Sequence, residues 1–151
     1  MRLLPGPDHF HVDEIPAYAA SGQGEHLYVQ IEKRGLNTDQ VVELLARACG
    51  RRPRDVGYAG RKDRHAVTRQ WFSVLGAQEA ALAHLAAPRD GTLAVIAVTR
   101  HGNKLRLGHL RGNRFRLGIA DADADVLAAA AARLHAEGMA NRFGPQRFGV
   151  Q

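Results

Sequence analysis

From Gly57 to Phe72 the chain reads Gly57-Tyr58-Ala59-Gly60-Arg61-Lys62-Asp63-Arg64-His65-Ala66-Val67-Thr68-Arg69-Gln70-Trp71-Phe72, and the other segments must be arranged around this stretch. Gly57 and Gly60 frame a turn, and Val67 to Val74 read as a strand holding the only Trp. Asp63 is a lone carboxylate among Arg61, Lys62, Arg64 and Arg69. Nearby cations favour its charged form, so it is expected to stay ionised. A glycine turn running into a strand is a rigid place to hold an acid. A charged bend with internal ion pairs is the commoner use of such a cluster, so these residues alone leave both uses open. On an extended backbone Arg61, Asp63 and His65 share a face, and Arg61 rather than Lys62 would touch the carboxylate. A tight turn would break that expectation.

The flanking patterns predict an α+β fold. Asp8 to Ile15 alternates weakly, with Phe10 and Val12 on one face, and reads as a short edge strand ended by Pro16. In His26 to Arg34, Leu27, Val29 and Ile31 face one side while Tyr28, Gln30 and Glu32 face the other. Asn37 with Gln40 forms a capping-box pattern before a helix with Val41, Leu44, Leu45 and Ala48 on one face and Gly50 as its stop. Asp55 to Tyr58 reads as a short strand. Gln78 to Ala87 reads as an Ala-rich helix ended by Pro88. Thr92 to Val98 and Lys104 to Leu107 read as strands, the latter with a basic outer face. Gly108 to Gly112 reads as a turn, and Asn113 to Ile119 as a strand with Asn113, Phe115, Leu117 and Ile119 on one face and Arg114 and Arg116 on the other. A third helix, Asp125 to Glu137, ends at Gly138. Strands mixed with three helices, without strict alternation, predict a mixed or antiparallel sheet with helices packed on it.

Charge is placed unevenly. The formal net charge is +6. Residues 1–50 hold four basic and seven acidic side chains, residues 51–74 seven and two, and residues 100–116 six and none. Two basic clusters on either side of a near-neutral stretch suit one positive surface for a polyanion such as RNA. Their members are Arg51, Arg52, Arg54 and Arg64 in the first and Lys104, Arg106, Arg111, Arg114 and Arg116 in the second. No apolar run approaches the roughly 20 residues that span a bilayer, so no membrane partner is expected. The single Cys49, on an apolar helical stripe, reads as a buried thiol in a reducing cytoplasm. The eight histidines lack metal-ligand spacing, and no metal site is expected. No phosphate-loop, dinucleotide or Ser-elbow fingerprint is present. By pattern alone, Phe115 beside Leu117 and Ile119 is most simply core.

Four blocks resemble one family. Ala59 to Trp71, A-G-x-K-D-R-x-A-V-T-x-Q-W, closely resembles the signature of the TruD family of tRNA pseudouridine synthases. Phe10 to Glu14, Ser21 to His26 and Glu32 to Thr38 resemble its N-terminal pattern. Lys104 to Phe115 resembles its N-x-F block, and Phe143-Gly-x-Gln146-Arg147-Phe148-Gly149 a further one. The resemblance implies isomerisation of uridine to pseudouridine at position 13 of tRNA, without a cofactor, with Asp63 as the catalytic acid. It implies that Phe115 packs on the target base, that Asn113 helps to hold it, and that Arg61, Lys62, Gln146 and Arg147 border the site. A base lifted from its stack needs such a flat apolar partner and edge hydrogen bonds.

Members of this family are substantially longer. Residues 1–151 are therefore expected to form the N-terminal portion of the catalytic domain, without the insertion domain and C-terminal part. Such a piece would carry the nucleophile, be weakly active or inactive alone, and belong to a cytoplasmic enzyme that is a monomer at full length. The competing expectations are a non-catalytic RNA-binding module and a structural fragment that associates through an open strand edge.

Overall fold

A computed structural model describes residues 1–142 and 144. In chain order the elements are β1 (Arg2–Leu3), β2 (Phe10–Pro16), β3 (His26–Arg34), α1 (Thr38–Ala48), β4 (Val56–Tyr58), β5 (Val67–Leu75), β6 (Thr92–His101), β7 (Leu110–Leu117), β8 (Ile119–Ala120) and α2 (Ala124–Glu137). Leu4–Gly118 form one compact unit, and Met1–Leu3 with the described residues from Ile119 onward form a second.

The larger unit is a six-stranded mixed sheet in the order β6-β3-β5-β2-β7, with β4 beside part of β5. The β2–β5 pairing is parallel and the others are antiparallel. The period-two pattern of β3 puts Leu27, Val29 and Ile31 against Val74, Phe72 and Gln70 of β5, on the side covered by α1. Val41, Val42, Leu45 and Ala46 of α1 close that core. The helix begins as its sequence predicts: the Asn37 side chain accepts from the Gln40 amide, and the Gln40 side chain accepts from the Asn37 amide, both at 2.8 Å. Cys49 caps its C-terminus, half-buried, and burial pushes the thiol pKa up.

Three local expectations are corrected. β2 is not an edge strand but lies inside the sheet between β5 and β7. Its Pro16 is accommodated because it is the last residue of the strand, where the register with β7 shifts. Lys104 to Leu107 forms no strand. Leu105 is buried with its amide on Ser73 Oγ (2.9 Å), Leu107 is exposed, and Gly108 donates to the Ala59 carbonyl (2.8 Å). Side-chain and loop partners have replaced ladder bonds. This close approach needs Gly57, since a Cβ there would overlap the Leu105 carbonyl oxygen. Gln78 to Ala87 is only a 3₁₀ turn over Glu79–His84, with no side-chain cap and no buried residue. Leu82 and Leu85 pack against the core, but so short a segment, with no side-chain cap, does not sustain an α-helix.

In the smaller unit β1 pairs with β8, and α2 is capped by Asp123, whose Oδ1 accepts from the amides of Asp125 (2.9 Å) and Val126 (3.1 Å). Gly138 ends the helix with φ 75°, as predicted. Among the described residues no helix is long and apolar enough to cross a membrane.

Candidate active site

The loop from Gly60 to His65 is held by its backbone. Gln70, buried on β5, donates from Nε2 to the Gly60 carbonyl (2.6 Å). Its Oε1 accepts from the Thr38 hydroxyl (3.2 Å), and that hydroxyl accepts from the Lys62 amide (2.9 Å). Lys33, with 1% of its surface exposed, reaches from β3 to donate to the Leu36 carbonyl (2.7 Å) and the Asp63 carbonyl (3.0 Å). Three side chains from β3, α1 and β5 thus fix the loop at Gly60, Lys62 and Asp63. Buried polar groups of this kind are costly unless fully bonded, and a bonded set specifies one backbone path.

Lys62 points inward. Its ammonium sits 2.8 Å from Glu14 Oε2, with side-chain exposures of 3% and 1%. Glu14 stands where the β2–β5 ladder stops after Asp13–Arg69, and its Oε1 accepts from the Trp71 amide (3.2 Å) in place of a ladder bond. The Lys33 pKa is lowered from 10.5 to about 8, by burial above all, with the Asp63 charge opposing the shift and the Lys62 charge adding to it.

Asp63 itself is exposed. Its Oδ1 accepts from the His65 amide at 2.8 Å, an Asx-type turn that sets the carboxylate's direction. The segment is therefore a tight turn rather than an extended run, and the expected Arg61–Asp63 contact is corrected. Arg61 pairs with Asp39 (3.3 Å), and Lys62 pairs with Glu14. Arg64 donates to the Gly35 carbonyl (2.9 Å) and pairs with Asp90 (3.2 Å).

Asn113 and Phe115 lie on the side of the sheet that carries Lys33 and Gln70, because their cross-strand partners Glu14 and Val12 belong to that side. Asn113 lies opposite Glu14, and its Oδ1 is buried with no hydrogen-bond partner among the described residues. Phe115 is 57% exposed and stacks on Phe10, with ring centroids 6.4 Å apart and planes 15° apart. An exposed ring is not core, which corrects the reading from pattern alone. One sheet face thus carries an exposed carboxylate on a bonded turn, an open aromatic face and a buried amide oxygen with no partner among the described residues.

The cations divide. Arg114 and Arg116 face the opposite side from Phe115, as the alternation predicts, and Arg116 lies 3.6 Å from Asp13. Arg51 donates to the Gly76 carbonyl, and Arg52 pairs with Asp55. Lys104 donates to the Arg54 carbonyl, which joins the two basic clusters. Arg54, Arg106 and Arg111 are exposed. Gln146 and Arg147 lie outside the described residues. Among the described residues no group of three or more His, Cys, Asp or Glu is placed to hold a metal ion.

Sequence reasoning assigned no role to Lys33, Glu14, Thr38 or Gln70. The signal was there for two of them: Lys33 continues the inward series Leu27, Val29, Ile31, and Glu14 continues the series Phe10, Val12. A charged residue at a position whose neighbours face the core must be paired or bonded.

The family model for tRNA pseudouridine synthase D (TruD) matches residues 1–151. The chain is 50% identical over 149 residues to a tRNA pseudouridine synthase D of Anaeromyxobacter sp. (strain Fw109-5), covering 99% of this chain and 42% of the relative. It is 44% identical over 151 residues to one from Thermus thermophilus, covering 95% and 40%. It is also similar to the crystal structure of the TruD protein from Methanosarcina mazei, with a TM-score of 0.74, 27% identity, and coverage of 98% of this chain and 36% of that one. The chain thus spans about two fifths of the length of these curated relatives.

Proposed function

Since the chain belongs to the TruD family of tRNA pseudouridine synthases, we propose that it is the nucleophile-bearing portion of an enzyme that converts uridine to pseudouridine at position 13 of tRNA. The observation that carries this reading is the clamped turn. Gln70, Thr38 and Lys33 are bonded to the loop backbone and to each other, and the carboxylate of that loop is left exposed at Asp63.

The reaction breaks the bond from C1′ to the base nitrogen, turns the uracil, and joins C1′ to C5. Every atom of the product comes from the substrate, so no cofactor is required. Asp63 acts on the nucleotide, by addition to the sugar or base or by taking a proton from the sugar. Phe115 offers a face for the base, and stacking of this kind contributes about 1–3 kcal/mol. The free Asn113 oxygen accepts from the uracil N3–H, the donor that an unmodified uracil presents on its pairing edge. Lys62 serves through Glu14: the buried pair fixes the residue before Asp63. Gln146 and Arg147, which lie outside the described residues, are assigned to the site by the family resemblance alone. Arg51, Arg52, Arg54, Arg64, Lys104, Arg106 and Arg111 supply positive charge for the phosphates, with Arg61 on the substrate side, while Arg114 and Arg116 offer theirs on the sheet face opposite Phe115; binding through these cations weakens as salt rises. The enzyme works in the cytoplasm and is a monomer at full length.

The test is a graft. Residues 1–151 replace the matching segment of the Anaeromyxobacter relative, and tRNA treated with the hybrid is mapped for pseudouridine. Conversion at position 13 is expected. Tight tRNA binding with no conversion, while the parent enzyme converts in the same assay, would favour a binding module instead.

A further inference from the structure

Tyr28 and Trp71, on the sheet face turned away from Lys33 and Gln70, line a cavity of about 320 Å³ that also reaches Glu14. Tyr28 and Trp71 form its walls from β3 and β5, Tyr18 and His109 come from the loops, and Glu14 lies at its floor. Register puts Tyr28, which opposes Ser73 and Thr99, on the other side of the sheet from Lys33 and Gln70, and Glu14 is the residue the cavity shares with the Asp63 turn.

The walls are flat and fixed. Tyr28 donates from its hydroxyl to the Asn103 carbonyl (2.8 Å) and lies 6.4 Å from Trp71, centroid to centroid. Tyr18 bonds the His109 ring at 3.1 Å. Both Glu14 oxygens are engaged, by Lys62 and by the Trp71 amide, so the floor offers no free charge to a cationic ligand. His109 also borders a second depression, of about 300 Å³, shared with Lys104 and Arg106. Arg106 is exposed there, and Lys104 has further protons beyond the one given to the Arg54 carbonyl. An apolar slot between aromatic rings, opening beside a cationic notch, matches a planar base with a phosphate attached.

From this arrangement we infer that the cavity binds one nucleotide of single-stranded RNA, base against Trp71 and phosphate at Lys104 and Arg106, as a second nucleotide beside the one presented to Asp63. That this nucleotide belongs to the tRNA being modified rests on the function proposed above; the binding itself does not. Because Glu14 floors the cavity and also holds Lys62, a base seated here presses on the pair that fixes the Asp63 turn.

Trp71 is the only Trp and lines this cavity, so its fluorescence reports binding there. The 151-residue chain is titrated with uridine and adenosine monophosphates and, in parallel, with ribose 5-phosphate. Saturable quenching by the nucleotides with half-saturation on the order of 1 mM is expected, and none by ribose 5-phosphate. Tyr18→Ala and Arg106→Ala, both at exposed positions, should each weaken the nucleotide by about fivefold or more. Asp63→Asn should leave the titration unchanged while ending conversion in the grafted enzyme, so the two proposals fail separately. Absence of saturable quenching, equal quenching by ribose 5-phosphate, or loss of quenching in Asp63→Asn would each overturn the inference.

Discussion

Glu14→Gln should destabilise the protein far more than its conservative appearance suggests. The change keeps the size of the side chain and an acceptor for the Trp71 amide, but removes the charge opposite Lys62. The pair is buried on both sides, at 3% and 1% exposure and 2.8 Å separation. An ammonium left there without its carboxylate costs about 3–5 kcal/mol. A domain of this size has on the order of 5–15 kcal/mol in hand, so a large share is lost. With a urea slope of about 2 kcal/mol per molar, the midpoint should fall by roughly 2 M. The double variant Glu14→Gln, Lys62→Met removes both charges and should recover most of the loss, because the uncompensated ammonium is gone. Urea unfolding followed by circular dichroism measures all three proteins. A loss below about 1 kcal/mol for Glu14→Gln, the size of an exposed ion pair, would refute the reasoning.

Three further outcomes follow from the same contacts. Lys33 titrates near 8 in the folded chain against 10.5 ordinarily, so unfolding between those pH values takes up a proton. Its contribution to stability therefore rises with pH across that window, by up to about 3 kcal/mol, and the slope of unfolding free energy against pH should drop in Lys33→Met. Gly57→Ala drives a methyl into the Leu105 carbonyl and should cost about 1–3 kcal/mol in thermal or urea unfolding. Phe115→Ala, at an exposed ring, should change stability by no more than about 1 kcal/mol yet slow pseudouridine formation in the grafted enzyme about tenfold or more; a stability loss above about 3 kcal/mol would make Phe115 a core residue after all.

What could be read in the residues followed from periodicity. Leu27, Val29 and Ile31 give β3, Asn37 and Gln40 give the start of α1, and Arg114 and Arg116 take the face away from Phe115. Alternation fails where the backbone turns. Applied to Arg61–His65, it pairs Arg61 with Asp63, whereas an Asx turn at Asp63 sends Arg61 to Asp39 and Lys62 inward to Glu14. Applied to Lys104–Leu107, it predicts a strand where Leu105 instead docks on Gly57 and Ser73. Partners 48 residues apart, such as Glu14 and Lys62, leave no local trace beyond a charge in an inward position. Lys33 left that trace, one step beyond the apolar run of its own strand.

The account stands on Asp63 as the group that acts on the nucleotide. The direct measurement is Asp63→Asn in the grafted enzyme, with tRNA affinity and pseudouridine formation followed on the same preparation. Unchanged affinity with conversion abolished is the predicted result. Conversion at a rate near that of the unmodified graft would contradict it.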